Sequence, residues 1–156
     1  MILKTTLKTK EELDALLVFL DIIERKLYKK KILEVSEFKN EWEQYSWFDE
    51  VLERISQGSS NTTEQKIELI EEIVKWARGL EQVKLVLPFK PSQDFIDKVW
   101  VEVAPSEPFG FVLDISVDKT MTSGGRMFHR GRYTDLTLKP KIENYFSKED
   151  VITKYL

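Results

Sequence analysis

The basic stretch between residues 126 and 132 holds the side chains of this chain that are best suited to chemistry. Its members are Arg126, His129, Arg130 and Arg132. His129 is the single histidine, so a His-carboxylate pair would have to form between it and either Asp114 or Asp135. A hydrolase of the Ser-His-Asp type also needs a nucleophile on a sharp turn and an oxyanion hole. The sequence offers no such context, and we predict no catalytic residue.

Phosphate binding is a second chemical interpretation, carried by Ser123-Gly124-Gly125-Arg126. Consecutive backbone N–H groups in such a stretch can cradle an anion. However, the stretch lacks the Gly-Lys-Ser/Thr ending of a P-loop. A strand rather than a helix is predicted to follow, so the favourable helix N-terminus is also missing. We therefore interpret the glycine pair as a tight turn or bulge, and we expect no cofactor.

Nucleic-acid binding is the third interpretation of this region. Six Lys or Arg residues stand against two Asp between residues 118 and 141, a local charge of +4. Phe128 and Tyr133 are interleaved with them and could stack on bases. The whole chain, however, carries a formal charge of −3, and strand alternation places Phe128 and His129 on opposite faces. Binding of nucleic acid by the hairpin Arg126–Arg132 is therefore kept as the alternative function.

Composition limits the remaining choices. The chain has 156 residues, of which 42% are apolar and 33% charged, as in a soluble folded protein of one domain or two small ones. It has no Cys and one His, which excludes disulfides, thiolate chemistry and metal sites that need two His ligands. We see no signal peptide, and the longest apolar run, residues 15–20, is too short to span a bilayer. We expect a cytoplasmic protein that meets a membrane only through partners.

The first 79 residues predict about three helices. Thr9 and Glu12 form a capping box before the first of them. Its apolar stripe consists of Leu13, Leu16, Leu17, Leu20, Ile23 and Leu27. The second opens near Ser36, with the stripe Phe38, Trp42, Tyr45, Phe48, Leu52 and Ile55. Trp47 falls off that stripe, and we interpret it as core or boundary packing. Asp49, Glu50 and Glu53 of the same region are interpreted as a solvated face.

A linker is predicted from Gly58 to Thr62, followed by the third helix. Thr62 and Gln65 form its capping box, and Gly79 is placed just beyond its end. Its apolar face is predicted to contain Ile67, Ile70, Val74 and Ala77, with Ile73 beside them.

From residue 80 onward the apolar pattern changes to that of a small sheet. Alternation predicts strands at Val83–Leu87 and Phe111–Val117, separated by a helix that Ser92 caps. The helix should bury Phe95, Ile96, Val99, Trp100 and Val103. Two short strands, 126–129 and 132–135, should form a hairpin, and Thr137 can cap a last helix. The predicted class is α+β, with a helical region over 1–79 and a β-α-β-β-β-α domain over 80–156.

The order and spacing of several motifs carry a family resemblance. They are Leu87-Pro88, the helix from Ser92, Val117-Asp118, Gly124-Gly125, the hairpin to Tyr133, Asp135-Leu136-Thr137, and Leu138 with Ile142. In these features residues 80 to 146 resemble the C-terminal domain of the F-type ATP synthase delta subunit, the oligomycin-sensitivity-conferring protein of mitochondria. That family has six N-terminal helices and more apolar residues after the glycine pair. The V-type peripheral-stalk E subunit has a comparable C-terminal plan but a longer N-terminal helix.

The resemblance implies a non-catalytic peripheral-stalk (stator) subunit of a proton-translocating ATP synthase. Such a subunit links the catalytic head to the b-type stalk helices and has no small-molecule substrate. It implies stalk contact through Gly124, Gly125, Arg126, Leu138, Ile142 and Phe146. It also implies contact with the head through Leu13, Leu16, Leu20 and Ile23.

Overall fold

A computed structural model describes residues 7–29, 34–57, 62–107 and 109–135 of the chain. Over these residues the expected α+β class is confirmed, because helices come first and a four-stranded mixed sheet follows. The predicted last helix, with its cap Thr137 and with Leu138, Ile142 and Phe146, lies outside the described residues. So does most of the predicted linker, residues 58–61.

Four helices precede the sheet in the described part of the chain, where about three were predicted. They are α1 (Lys10–Tyr28), α2 (Val35–Trp42), α3 (Phe48–Gln57) and α4 (Thr63–Arg78). The predicted second helix was wrong, because the turn at residues 43–47 divides it into α2 and α3. Within the turn, Tyr45 N–H donates to the Trp42 carbonyl at 3.0 Å and Phe48 N–H to the Tyr45 carbonyl at 3.1 Å. The break allows Trp47 to turn into the core, where it is fully buried.

The helix starts are set by local hydrogen bonds, as the sequence predicted. At α1, the Glu12 N–H donates to Thr9 Oγ1 at 3.2 Å and the Thr9 N–H to Glu12 Oε2 at 2.9 Å. Thr62 and Gln65 form the same reciprocal pair at α4. Each box satisfies backbone donors that have no partner inside the helix. At the other end of α4, Gly79 is the cap residue itself, with φ −85°, so no left-handed residue ends the helix.

Phe19 of α1 lies at the centre of the helical core. Its ring centroid is 5.4–5.6 Å from those of four surrounding aromatic residues, Phe38, Trp42, Trp47 and Phe48. These distances are typical of favourable edge and tilted ring contacts. Phe19 was not in the predicted stripe of α1, whereas Leu17 was and is only half-buried. The inward face of α1 is therefore rotated slightly from the predicted one.

The sheet has the strand order β2-β1-β3-β4. Strand β1 (Glu81–Leu87) is parallel to β2 (Phe111–Val117) and antiparallel to β3 (Arg126–His129), which pairs with β4 (Arg132–Asp135). Helix α5 (Gln93–Val103) connects β1 to β2, and a short 3₁₀ turn, Ala104–Ser106, follows it. The predicted hairpin turn is confirmed, with positive φ at both Arg130 (49°) and Gly131 (73°).

Each face of the sheet packs on a different helical layer. Val83, Phe111 and Leu113 face α5, whose predicted inward residues are only half-buried. Val112 points the other way and belongs to the core of the first four helices, as does Leu80. The alternation of apolar and polar residues along β2 predicts one face exposed to solvent, and this is wrong at the start of the strand, because α1 and its neighbours cover that face at Val112. The helices pack on the sheet, while the division into two domains at residue 80 stays a prediction.

Replacing the central ring should destabilise the fold much more than replacing its exposed neighbour. Phe19→Ala should lower the free energy of unfolding by about 3–5 kcal/mol, since a buried ring is lost and a cavity remains. Val18→Ala is the matched control, because Val18 is 53% exposed on the same helix. Its change should stay within about 0.5 kcal/mol. Urea unfolding followed by Trp fluorescence measures both, and equal losses would contradict the described core.

Candidate functional site

The candidate site is a buried carboxylate between the end of α5 and the β3–β4 hairpin. Glu107 follows the 3₁₀ turn, and its side chain is 2% exposed. Among the described residues it is the one charged or polar residue that is buried. A carboxylate in such a position requires compensating partners, because desolvating an unpaired charge costs several kcal/mol.

Two residues of the hairpin supply those partners. Arg130 Nη2 donates to Glu107 Oε2 at 2.8 Å. His129 Nε2 lies 3.1 Å from Glu107 Oε1, within ion-pair distance. This second contact is not a hydrogen bond, and neither atom has a hydrogen-bond partner among the described residues. The Glu107–Arg130 hydrogen bond is therefore the firm contact, and His129 adds a second contact at ion-pair distance.

The sequence had offered His129 two different carboxylates, Asp114 and Asp135. Cross-strand register places both on the opposite face of the sheet, since Asp114 is aligned with Lys84, Lys84 with Phe128, and Asp135 with Arg126. This expectation was wrong because strand alternation alone does not show which loop approaches a face. Glu107 was missed because it lies in an irregular loop between Pro105 and Pro108. The available signal was Glu107 itself, an acidic residue between two prolines and close to Phe109, which could have indicated a buried carboxylate.

Arg126 has a separate partner, so the basic cluster divides between the two faces as alternation predicted. Its Nη1 lies 3.7 Å from Asp118 Oδ2. The other carboxyl oxygen of Asp118 accepts from Thr120 Oγ1 at 2.5 Å and from the Thr120 N–H at 2.9 Å. These hydrogen bonds, and to a smaller extent the Arg126 charge, lower the pKa of the Asp118 carboxyl below its ordinary value. Asp118 thereby stabilises the turn that leads from β2 toward the glycine pair.

The glycine pair forms a bend, in agreement with the sequence interpretation. Gly124 has φ 80°, a conformation that L side chains rarely adopt. Gly125 is buried against β1, and a Cβ there would lie 3.1 Å from Leu87 Cδ2. Of the predicted stalk contacts in the described residues, Gly124 is exposed and Arg126 half-exposed, whereas Gly125 has little surface.

The predicted head-contact residues are packed inside the protein. They are Leu13, Leu16, Leu20 and Ile23, each at most 4% exposed. Side chains that fill the core present no surface to another subunit in this conformation. A partner of α1 would instead meet its outer side, where Val18 is exposed and Ile22 half-buried. Contact between α1 and a catalytic head stays a prediction.

An aromatic pair lies on the sheet face opposite His129. The ring centroids of Phe128 and Tyr133 are 4.9 Å apart, and the residues are 41% and 52% exposed. They are cross-strand neighbours in the hairpin. Tyr133 OH donates to Asp135 Oδ2 at 3.1 Å, which places a carboxylate at the edge of the pair. Strand alternation in the sequence predicted that Phe128 lies on the face opposite His129.

No protein-family model matches this chain, and no curated protein matches it in sequence. In the described part of the chain, no group of three or more acidic or His side chains could hold a metal ion. No helix in that part combines the length and apolar character needed to cross a membrane.

The buried carboxylate should contribute to stability through its charge. Glu107→Gln keeps the side-chain shape but removes the charge-assisted bond to Arg130. We expect the free energy of unfolding to fall by about 1.5–3 kcal/mol, the contribution of a hydrogen bond to a charged group. Glu102→Gln, an exposed position at the end of α5, is the control and should change little. Urea titrations at neutral pH measure the free energy of unfolding of both variants. An equal loss of stability in the two variants would refute the stabilising role of the Glu107 charge.

Proposed function

We propose that this chain is a non-catalytic peripheral-stalk subunit that links the catalytic head of an ATP synthase to its b-type stalk helices. The observation that carries the proposal is the shared core of the helical layer and the sheet. Leu80 and Val112, which belong to the sheet side, pack in one apolar cluster with α1 to α4. A subunit that resists torque between two partners needs this continuity, because a loose joint between its layers would absorb the load.

The order of elements in the second half of the chain also supports the proposal. Four features follow one another in the order that the resemblance requires. They are the β1-α5-β2 unit, the Asp118 turn, the Gly124 bend and the β3–β4 hairpin. The hairpin strand β4 is exposed along its whole length and leads into the segment that contains Leu138 and Ile142. We propose this end of the sheet, with that segment, as the stalk contact, and the outer side of α1 as the contact with the head.

Binding to a stalk helix tests this proposal directly. The full chain should bind a synthetic peptide of the C-terminal helix of the b-type subunit from the same genome, measured by isothermal titration calorimetry. The double variant Leu138→Glu, Ile142→Glu should weaken binding at least tenfold, since two apolar anchors become charged. Lys141→Glu, which lies between them in sequence, should bind within threefold of the native chain. Absence of binding by the native chain would count decisively against the proposal.

The exposed aromatic pair favours nucleic-acid binding as the second candidate. Phe128 and Tyr133 form a small stacking surface, and Lys84 lies exposed beside Phe128 in the register. Against it, the guanidinium groups of Arg126 and Arg130 are already paired with carboxylates. The positive charge that would hold a phosphate backbone is thus partly neutralised, which is why we rank this function second.

The affinity of the chain for short single-stranded RNA distinguishes this second candidate from the stator proposal. If the second candidate is correct, Phe128→Ala with Tyr133→Ala should weaken binding by at least tenfold, because stacking contributes about 1–3 kcal/mol per base. Val101→Ala, an exposed apolar residue of α5, should have no effect. Affinity should also fall as salt is raised from about 50 to about 200 mM. Fluorescence anisotropy without a signal at the lower salt concentration would eliminate this candidate.

A further inference from the structure

The turn of the β3–β4 hairpin contains a residue in an unfavourable backbone conformation. Arg130 has φ 49°, and within the described ranges it is the one residue other than glycine with a positive φ. Hairpin turns of this kind favour Asn or Gly at that position, because the Cβ of most other residues comes too close to a backbone carbonyl. Arg130 therefore carries backbone strain that another contact must compensate.

The compensating contact is the hydrogen bond to Glu107. The Arg130 guanidinium donates to Glu107 Oε2 at 2.8 Å, although the Arg130 side chain is itself 53% exposed. Glu107 lies in a loop that two backbone hydrogen bonds hold in place. Its N–H donates to the Ala104 carbonyl at 3.1 Å, and its carbonyl accepts from the Gly110 N–H at 3.0 Å. The carboxylate is thus fixed from two sides, and the hairpin is the partner that can move.

The tip of the hairpin, residues 129–132, has few other attachments. Strand β1 extends back to Glu81, but its pairing with β3 ends where Lys84 meets Phe128. The tip therefore projects beyond the ladder that joins the hairpin to the sheet. Strand β4 is exposed along its whole length. Within the described part of the chain, both contacts at ion-pair distance that join the tip to the other elements go to Glu107.

We propose that the hairpin tip is a latch that is held closed under backbone strain. The bond to Glu107 keeps Arg130 in its left-handed conformation and closes the tip on the end of α5. When this bond breaks, the strain is released and the tip opens, while β1, β2 and the helices stay folded. Segments with few attachments and exposed backbone hydrogen bonds open locally, below the free energy of global unfolding. The latch is independent of the proposed stator function, because all of its members belong to this chain.

Hydrogen exchange in the native chain tests the local opening without any substitution. The His129 amide lies in the pair that closes the turn, opposite Arg132, whereas Leu85 lies within β1. We expect the opening constant at His129 to exceed that at Leu85 by at least about tenfold. Exchange at His129 should also be insensitive to low urea, because a local opening exposes little surface, while exchange at Leu85 should accelerate. Equal opening constants with equal urea dependence would overturn the proposal.

A double-mutant cycle tests the strain. In the native background, Arg130→Asn relaxes the turn but leaves the buried carboxylate without its firm partner. The opening constant at the His129 amide should therefore rise by at least about tenfold. In the Glu107→Gln background no buried charge is left unpaired, and the better turn residue should dominate. The same substitution should there lower the opening constant by about threefold or more.

Arg132→Gln is the matched control, because it removes a positive charge from the same tip without changing the strained position. Its effect on the opening constant at His129 should stay within about threefold in both backgrounds. Arg130→Asn with the same effect in the two backgrounds would show that the turn strain is not coupled to the Glu107 contact, and this would overturn the proposal. If a variant fails to fold, the exchange measurement on the native chain still decides whether the tip opens locally.

Discussion

The attachment of residues Leu7–Thr9 to strand β2 determines how the layers of this protein are arranged. Leu7 is buried in the helical core, and the Lys8 carbonyl accepts from the Leu113 N–H. The Lys8 ammonium also meets Asp97 of α5 at 2.8 Å, and this hydrogen bond lowers the pKa of the Asp97 carboxyl. Residues Leu7–Thr9 thus contact the core of the first four helices, the edge strand β2 and, on the other face of the sheet, helix α5. Because α1 begins immediately afterwards, its direction across the sheet follows from this attachment.

That direction makes the two edges of the sheet unequal. Helix α1 and its preceding segment cover the start of β2, where Val112 enters the helical core. Among the described residues, no strand pairs with the outer side of β2 at Ile115 and Val117. At the other edge, every residue of β4 is exposed. A protein with two separate exposed surfaces on one continuous core can hold two partners at a defined separation. The proposed stator role requires this property.

The contacts of Glu107 position the β3–β4 hairpin, and we assign the carboxylate this structural role rather than a role in catalysis. The carboxylate holds the tip of the hairpin, through Arg130 and His129, against the end of α5. This contact adds less stability than its Coulomb energy suggests, because the buried Glu107 carboxylate loses its hydration, whereas Arg130 stays 53% exposed. Its consequence is geometric, since it fixes the side of the sheet that the hairpin tip approaches. Strand alternation places the aromatic pair Phe128 and Tyr133 on the opposite face.

Local interactions account for what the sequence determined by itself. The capping residues Thr9, Thr62 and Ser92 were correct because the donors and acceptors of a helix start lie three residues apart. The hairpin strands were also correct, since alternation and the Arg130-Gly131 turn act over neighbouring residues. Tertiary structure alone decided the break before Trp47, the central position of Phe19 and the pairing of Glu107 with His129. In each case the partner is distant in the chain, and a periodic pattern shows that a side chain is apolar or charged without showing what it will meet.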